Sequence, residues 1–141
     1  MAVATLRIEP LTPVYAELAS QLQHAVMPNP WSTRQFMDSL NAGHDCYAGF
    51  VGDELVVCAV LSTVVDEASL LTIACRLNWQ GQGYAGQLLR FALGKVQHKG
   101  AAMCFLEVMA SNKAARDLYL HQGFVETVSY THLTLPTIYS V

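Results

Sequence analysis

Ile73-Ala74-Cys75-Arg76-Leu77-Asn78-Trp79-Gln80-Gly81-Gln82-Gly83-Tyr84-Ala85-Gly86 is the stretch on which the fold turns. It closes a β-rich apolar run, Ala68 to Leu77, and passes through a glycine-rich loop into the first turn of a helix. That helix, Gln82 to Lys99, places Tyr84, Leu88, Leu89, Ala92, Leu93 and Val96 on one face and stops at Gly100. Strand, loop and helix in this order form a unit of an α/β sheet. The amides of the first turn and the positive end of the helix dipole together make an anion site. Gly81 and Gly83 allow backbone to come close to a pyrophosphate, and Ala85 keeps the wall small. The same glycines also suit tight packing alone, so the loop by itself leaves both readings open. No Lys-Ser/Thr pair follows, which excludes a P-loop. No acidic residue ends the next strand, which makes a poor dinucleotide fingerprint.

Downstream, Ala101 to Met109 is apolar enough for a central buried strand, interrupted by one carboxylate, Glu107. Glu107 reads either as an edge carboxylate reaching solvent or as a partly buried general base. Asn112 can cap a helix that ends at Gly123, and Phe124 starts another strand. Within that helix, Tyr119 reads either as core or as a general acid beside a leaving group.

Upstream, Leu6 to Ile8 is a short strand ended by Pro10. Pro13 to Val26 has Val14, Leu18, Leu22 and Val26 at helical spacing, closed by Pro28 and Pro30. Ser32 with Gln35 is a capping box for a helix running to about Ala42, before Gly43. Cys46 to Val51, a turn at Gly52-Asp53, and Leu55 to Val65 form a hairpin. The expected fold is α/β: one mixed central sheet flanked by helices.

Composition agrees with one globular domain. The 141 residues are 52% hydrophobic and 13% charged, which excludes disorder. A net charge of −3 argues against a phosphate-neutralising surface, so no nucleic-acid partner is expected. No apolar run reaches the roughly 18 residues of a membrane span, and Met1 to Pro10 lacks the order of a signal peptide, so the expected place is the cytoplasm. Cys46, Cys58, Cys75 and Cys104 show no metal spacing and read as buried thiols; the histidines are scattered, and no metal is expected.

From Gln80 to Phe124 these pieces fall in a recognisable order. Gln80-x-x-Gly83-x-Ala85 is followed by Leu106-Glu107-Val108, Ala110-Ser111-Asn112, Ala114-Ala115-Arg116, Leu118-Tyr119 and Gly123-Phe124. The series resembles the GNAT acetyltransferases, and coverage runs over nearly the whole chain to Thr127. Val65-Asp66-Glu67-Ala68 and Pro30-Trp31-Ser32 look in particular like the ribosomal-protein alanine N-acetyltransferases of the RimI type.

The resemblance implies acetyl-CoA, as acetyl donor, bound where two central strands splay apart. Ile73, Ala74 and Cys75 would pair with the pantetheine arm. Gly81, Gln82, Gly83, Tyr84, Ala85 and Gly86 would hold the pyrophosphate, and Asn112 would contact the cofactor. Glu107 would take the amine proton through water, and Tyr119 would protonate the departing thiolate. Transfer would be direct, to a protein N-terminus, most readily the N-terminal alanine of a small-subunit ribosomal protein. A lysine side chain or a small-molecule amine remains the alternative acceptor, and a non-catalytic acyl-CoA-binding module the alternative class. Three positions depart from the family pattern: Leu77 stands for a frequent Pro, Gly81 for Arg or Lys, and Met109 for Arg.

After Thr127 the pattern stops. Val128 to Val141 contains no Asp, Glu, Lys or Arg, and resembles the translation of a DNA library adapter read in frame to its stop. On that reading residues 1–127 are the acetyltransferase domain, residues 128–141 are a non-native tail, and the natural last strand of the sheet is expected to be missing.

Overall fold

The computed structural model describes residues 5–109, 111–125, 128–129, 132–134 and 137–138. The chain begins with strand β1 (Arg7–Pro10), a 3-10 turn (Pro13–Tyr15), and helices α1 (Ala16–Val26) and α2 (Thr33–Asn41). Strands β2 (Asp45–Val51), β3 (Glu54–Val64) and β4 (Glu67–Cys75) form an antiparallel meander. Helix α3 (Tyr84–His98) crosses over to β5 (Met103–Phe105), which lies parallel to β4. Strand β6 (Glu107–Met109), helix α4 (Lys113–His121) and short strands β7 (Val128–Ser129), β8 (His132–Thr134) and β9 (Thr137–Ile138) complete the described elements.

Among the described residues the main sheet has the order β1-β2-β3-β4-β5-β9, and a second sheet the order β6-β8-β7. Two apolar clusters sit on opposite faces of the main sheet. One joins α3, Tyr119 and Phe124 to Val57, Ala59 and Leu61; the other joins α1 and α2 to Cys58, Val60 and Ala74. Alternation along β3 supplies both, which is why this strand reads as a continuous apolar run.

Several expectations hold in detail. Ser32 and Gln35 close a reciprocal capping box, with Gln35 N–H donating to Ser32 Oγ at 3.1 Å and Ser32 N–H to Gln35 Oε1 at 2.8 Å. All six residues assigned to the inner face of α3 are buried.

Others are corrected. The stripe expected on α1 holds only in its second half: Leu22 is buried and Val26 packs against the core, but Val14 is 81% and Leu18 42% exposed, and Ala16, Ala19, Ser20 and Gln23 are buried in their place. The α-helix starts only at Ala16, and small residues let it lie close to the sheet. β1 runs on through Pro10, which an edge strand tolerates. Val65 leaves β3 for the turn, where its φ is +59°. β4 ends at Cys75, and Leu77 begins a 3-10 turn. The single strand expected over Ala101–Met109 is divided at Leu106, because its two halves belong to different sheets. Phe124 is buried but starts no strand. Cys46, Cys58 and Cys104 are buried as expected, whereas Cys75 is half-buried.

The outer side of β5 is also occupied. Thr137–Ile138 pairs antiparallel with Met103–Cys104, and His132–Thr134 with Glu107–Met109. Segments of the tail after Thr127 thus occupy this edge. Ladder bonds use main-chain groups, so short extended segments can meet an open edge without a particular side-chain pattern.

Candidate active site

The site begins with an irregularity in β4. Val60 faces Thr72 and Leu61 faces Leu70, so Leu71 is an extra residue in the ladder. This bulge shifts the alternation by one. Ala68 and Leu70 pack toward α3, whereas Ala74 packs toward α1 and α2, and Ile73 and Cys75 return to the α3 side. Pairing with β5 covers only Glu67 to Ser69. Beyond Ser69, β4 has no strand on that side among the described residues, and β6 joins the other sheet. The parting leaves a cleft of about 920 Å³ between β4 and β6, floored by α3 and α4.

At the end of β4 the chain turns through Leu77–Trp79. Gln80 Nε2 donates to Cys75 O at 2.9 Å and ties the loop back to the strand. Gly81 and Gly83 have φ of +78° and +87°, a conformation that side chains disfavour. Gly83 is the N-cap of α3, and its carbonyl accepts from Gln87 N–H at 3.0 Å. Gly81, Gly83, Tyr84 and Ala85 of this turn line the cleft, and the free amides of a helix's first turn suit an anion. Trp79 packs edge-on to buried Tyr84, with ring centroids 5.8 Å apart.

Ile73, Ala74, Cys75, Gly81, Gly83, Tyr84, Ala85, Asn112, Glu107 and Tyr119 all line this cleft. Gln82 and Gly86 are not among its lining. Gln82 Nε2 donates to Asn78 O at 3.3 Å, and Gly86 packs against α4. Asn112 Oδ1 accepts from Ala115 N–H at 3.2 Å, so this residue caps α4 as well as lining the cleft.

Glu107 alternates with buried Val108 and is exposed on β6, so the partial burial considered for it is not found. Tyr119 is 7% exposed and packs on Phe124, and burial pushes its phenol up to about 12. It therefore belongs to the core and also lines the cleft. Burial also raises the Cys75 thiol, the cysteine nearest the cleft. No cluster of His, Cys, Asp or Glu suited to a metal occurs among the described residues.

Sequence reasoning missed the opposite wall. Val26 at the end of α1 and Met27, Pro28 and Asn29 between α1 and α2 line the cleft, as do Trp79, Asp117 and His121. Pro28 and Pro30 marked this segment only as a helix stop. Its place across from β4 depends on α1 packing, which local pattern does not reveal.

Residues 11–124 match the family model described as the acetyltransferase (GNAT) family. A [ribosomal protein bS18]-alanine N-acetyltransferase of Haemophilus ducreyi is 29% identical over 117 residues, 82% of this chain and 81% of that one. The protein of the same name from Escherichia coli is 33% identical over 97 residues, 69% of this chain and 66% of that one. The crystal structure of the ribosomal-protein-S18-alanine N-acetyltransferase from Escherichia coli superimposes with a TM-score of 0.88 at 25% identity, covering 97% of this chain and 96% of that one.

Proposed function

We propose, from the premise that the chain belongs to the GNAT family and is an acetyl-CoA-dependent N-acetyltransferase, that its acceptor is the N-terminal alanine amine of a ribosomal protein. The observation that carries the site assignment is the parting of β4 and β6, which brings Glu107 and Tyr119 to one cleft with the glycine loop. The acceptor is suggested by the relatives that bear the bS18 name.

Acetyl-CoA fits this cleft by its chemistry. The glycine turn offers amides to a pyrophosphate, and the open edge of β4 from Ile73 to Cys75 offers main-chain groups to the amides of a pantetheine arm. When bound, it supplies a thioester carbonyl that an amine attacks directly. Glu107, exposed at the cleft, has room for a water through which it takes the amine proton. Tyr119 keeps its own proton at neutral pH, since burial holds the phenol near 12. Full transfer to a thiolate, ordinarily near 8.5, would run uphill. The phenol therefore acts chiefly by hydrogen-bonding the sulfur as charge develops there. Burial of Cys75 suppresses the thiolate that an acyl-enzyme route would need, which favours direct transfer.

No helix among the described residues is long and apolar enough to cross a membrane. The cytoplasm, where acetyl-CoA and newly made ribosomal proteins meet, is the proposed place of action. The test compares three acceptors with acetyl-CoA: a peptide beginning with alanine, the same peptide blocked at its N-terminus and carrying lysine, and a polyamine. Acetylation at the alanine α-amine is expected. Acetylation confined to the lysine or the polyamine would overturn the acceptor, and acetyl-CoA binding without turnover on any amine would favour the binding module.

A further inference from the structure

We propose that Gln23 is a positioning residue that sets the acceptor end of the cleft by tying the α1–α2 loop to β4 just past its bulge. The proposal rests on the functional reading above: with acetyl-CoA on the glycine turn and the open edge of β4, the facing wall of Val26 to Asn29 is the part of the cleft left to the acceptor. Gln23 is fully buried, and both ends of its amide are used. Its Oε1 accepts from Trp31 N–H at 2.8 Å, and its Nε2 donates to Thr72 Oγ1 at 2.8 Å.

Each end reaches a different wall. Trp31 lies where the loop returns toward α2, just after Val26, Met27, Pro28 and Asn29 have lined the cleft. Thr72 is the first residue after the extra Leu71 of the bulge, and it lines the cleft beside Ile73. One buried side chain thus spans from the loop wall to the strand wall. One turn earlier on the same face of α1, Ser20 Oγ donates to Trp31 O at 2.8 Å. Both main-chain polar groups of Trp31 are therefore held by α1, while its ring packs on Phe36 at 5.1 Å.

An apolar residue of similar length would fill the space without needing partners. What the amide adds is direction, since a buried polar group must meet donor and acceptor together and so specifies one arrangement of loop and strand. The glycine turn at the far end of β4 touches neither Gln23 nor its partners in this network. Loss of the amide should therefore act on the acceptor and spare acetyl-CoA.

The experiment uses the full chain with Gln23→Met, Thr72→Val and the double variant, and measures acetyl-CoA Kd, acceptor KM and kcat on an alanine-initiated peptide. Gln23→Met should raise acceptor KM about five- to tenfold, the effect of one or two buried hydrogen bonds. Thr72→Val should raise it less. The double variant should be no worse than Gln23→Met, because the two changes remove one shared bond. Acetyl-CoA Kd should stay within about twofold across the series. Equal movement of both substrates' constants, an unchanged acceptor KM, or additive effects would overturn the proposal.

Hydrogen exchange supplies a readout independent of turnover. Residues 26–31 should exchange faster in both single variants while residues 84–98 remain as in the parent. Unchanged exchange over residues 26–31 in Thr72→Val overturns the coupling even where Gln23→Met folds poorly. A parent that fails to acetylate the peptide defeats the acceptor assignment instead, and the exchange result then decides the coupling alone.

Discussion

Gly86 and Gln122 meet where the glycine-turn helix crosses the last helix. A Cβ placed on Gly86 would stand 3.1 Å from Gln122 Nε2 and 3.7 Å from Leu118 Cδ1. Helix α3 presents the glycine turn, and α4 carries Asn112 at its cap and Tyr119 on its buried face. This contact links the helix of the glycine turn to the helix that carries Asn112 and Tyr119. Gly86 therefore works through packing.

Substitution at Gly86 should depend steeply on size. Gly86→Ala gains helix propensity of up to about 1 kcal/mol, and the flexible end of Gln122 can yield, so urea denaturation should move little. Gly86→Leu must displace Leu118 as well, and should cost about 1–3 kcal/mol. Equal stability of the two variants would mean that the helices do not need their close approach.

Gly83 tests the backbone of the anion turn. At φ +87°, with nothing within 4 Å of an added Cβ, Gly83→Ala meets conformational strain without a clash. The expected cost is about 1–2 kcal/mol. Acetyl-CoA at a hundredfold excess over Kd should stabilise the parent by about 2.7 kcal/mol. Gly83→Ala should need more acetyl-CoA for the same thermal shift. A parent with no shift at saturating acetyl-CoA would remove the ligand from this cleft.

Glu107→Gln should lower kcat about 10²–10⁴-fold while acetyl-CoA Kd stays near the parent value. Tyr119→Phe should cost less, because the phenol contributes a hydrogen bond to the sulfur rather than a complete proton transfer. The Tyr119-dependent part of the rate should be level from pH 7 to about 9, since its phenol titrates only near 12. Parent-like rates in both variants would place proton transfer elsewhere.

Stability should fall on the alkaline side. Burial raises Cys58 from 9.0 to about 12 and Tyr119 from 10.0 to about 12. Burial, reinforced by Asp45, raises Cys46 to about 11. Each group is held in its protonated form by the fold. Its contribution is complete below the unfolded pKa and is lost as pH climbs through the folded one. Denaturation midpoints should thus hold from pH 7 to about 9 and drop between about 9 and 12. Cys58→Ala should be less stable at pH 7 and lose less of its remaining stability over that range. A midpoint that rises with pH would contradict the burial of these groups.

Local chemistry explains what was legible in the chain. The Ser32–Gln35 box, the Gly52-Asp53 turn, the Asn112 cap and the inner face of α3 each depend on residues within a few positions of one another. Glu107 and Tyr119 were singled out by residue type and by family resemblance, and the structure brings both to one cleft. On α1 the same periodicity arguments selected Val14 and Leu18, which are exposed, over Gln23, which is fully buried. A polar residue enters a core only when distant partners satisfy it, and here they are Trp31 and Thr72.

An α/β chain, a glycine turn opening a long helix, and the residue types able to bind an anion and move protons all follow from the order of amino acids. These properties arise from backbone permissiveness, capping and periodic burial, all of which act over short separations. Long-range pairing and packing fix where β4 and β6 part, make Leu71 the extra residue, and bring Val26 to Asn29 to the facing wall. Strand divergence is a property of pairing between segments far apart in the chain. The pairing of β4 with β5 stops at Ser69 because the next segment, β6, joins another sheet, and no local pattern at either residue encodes that choice.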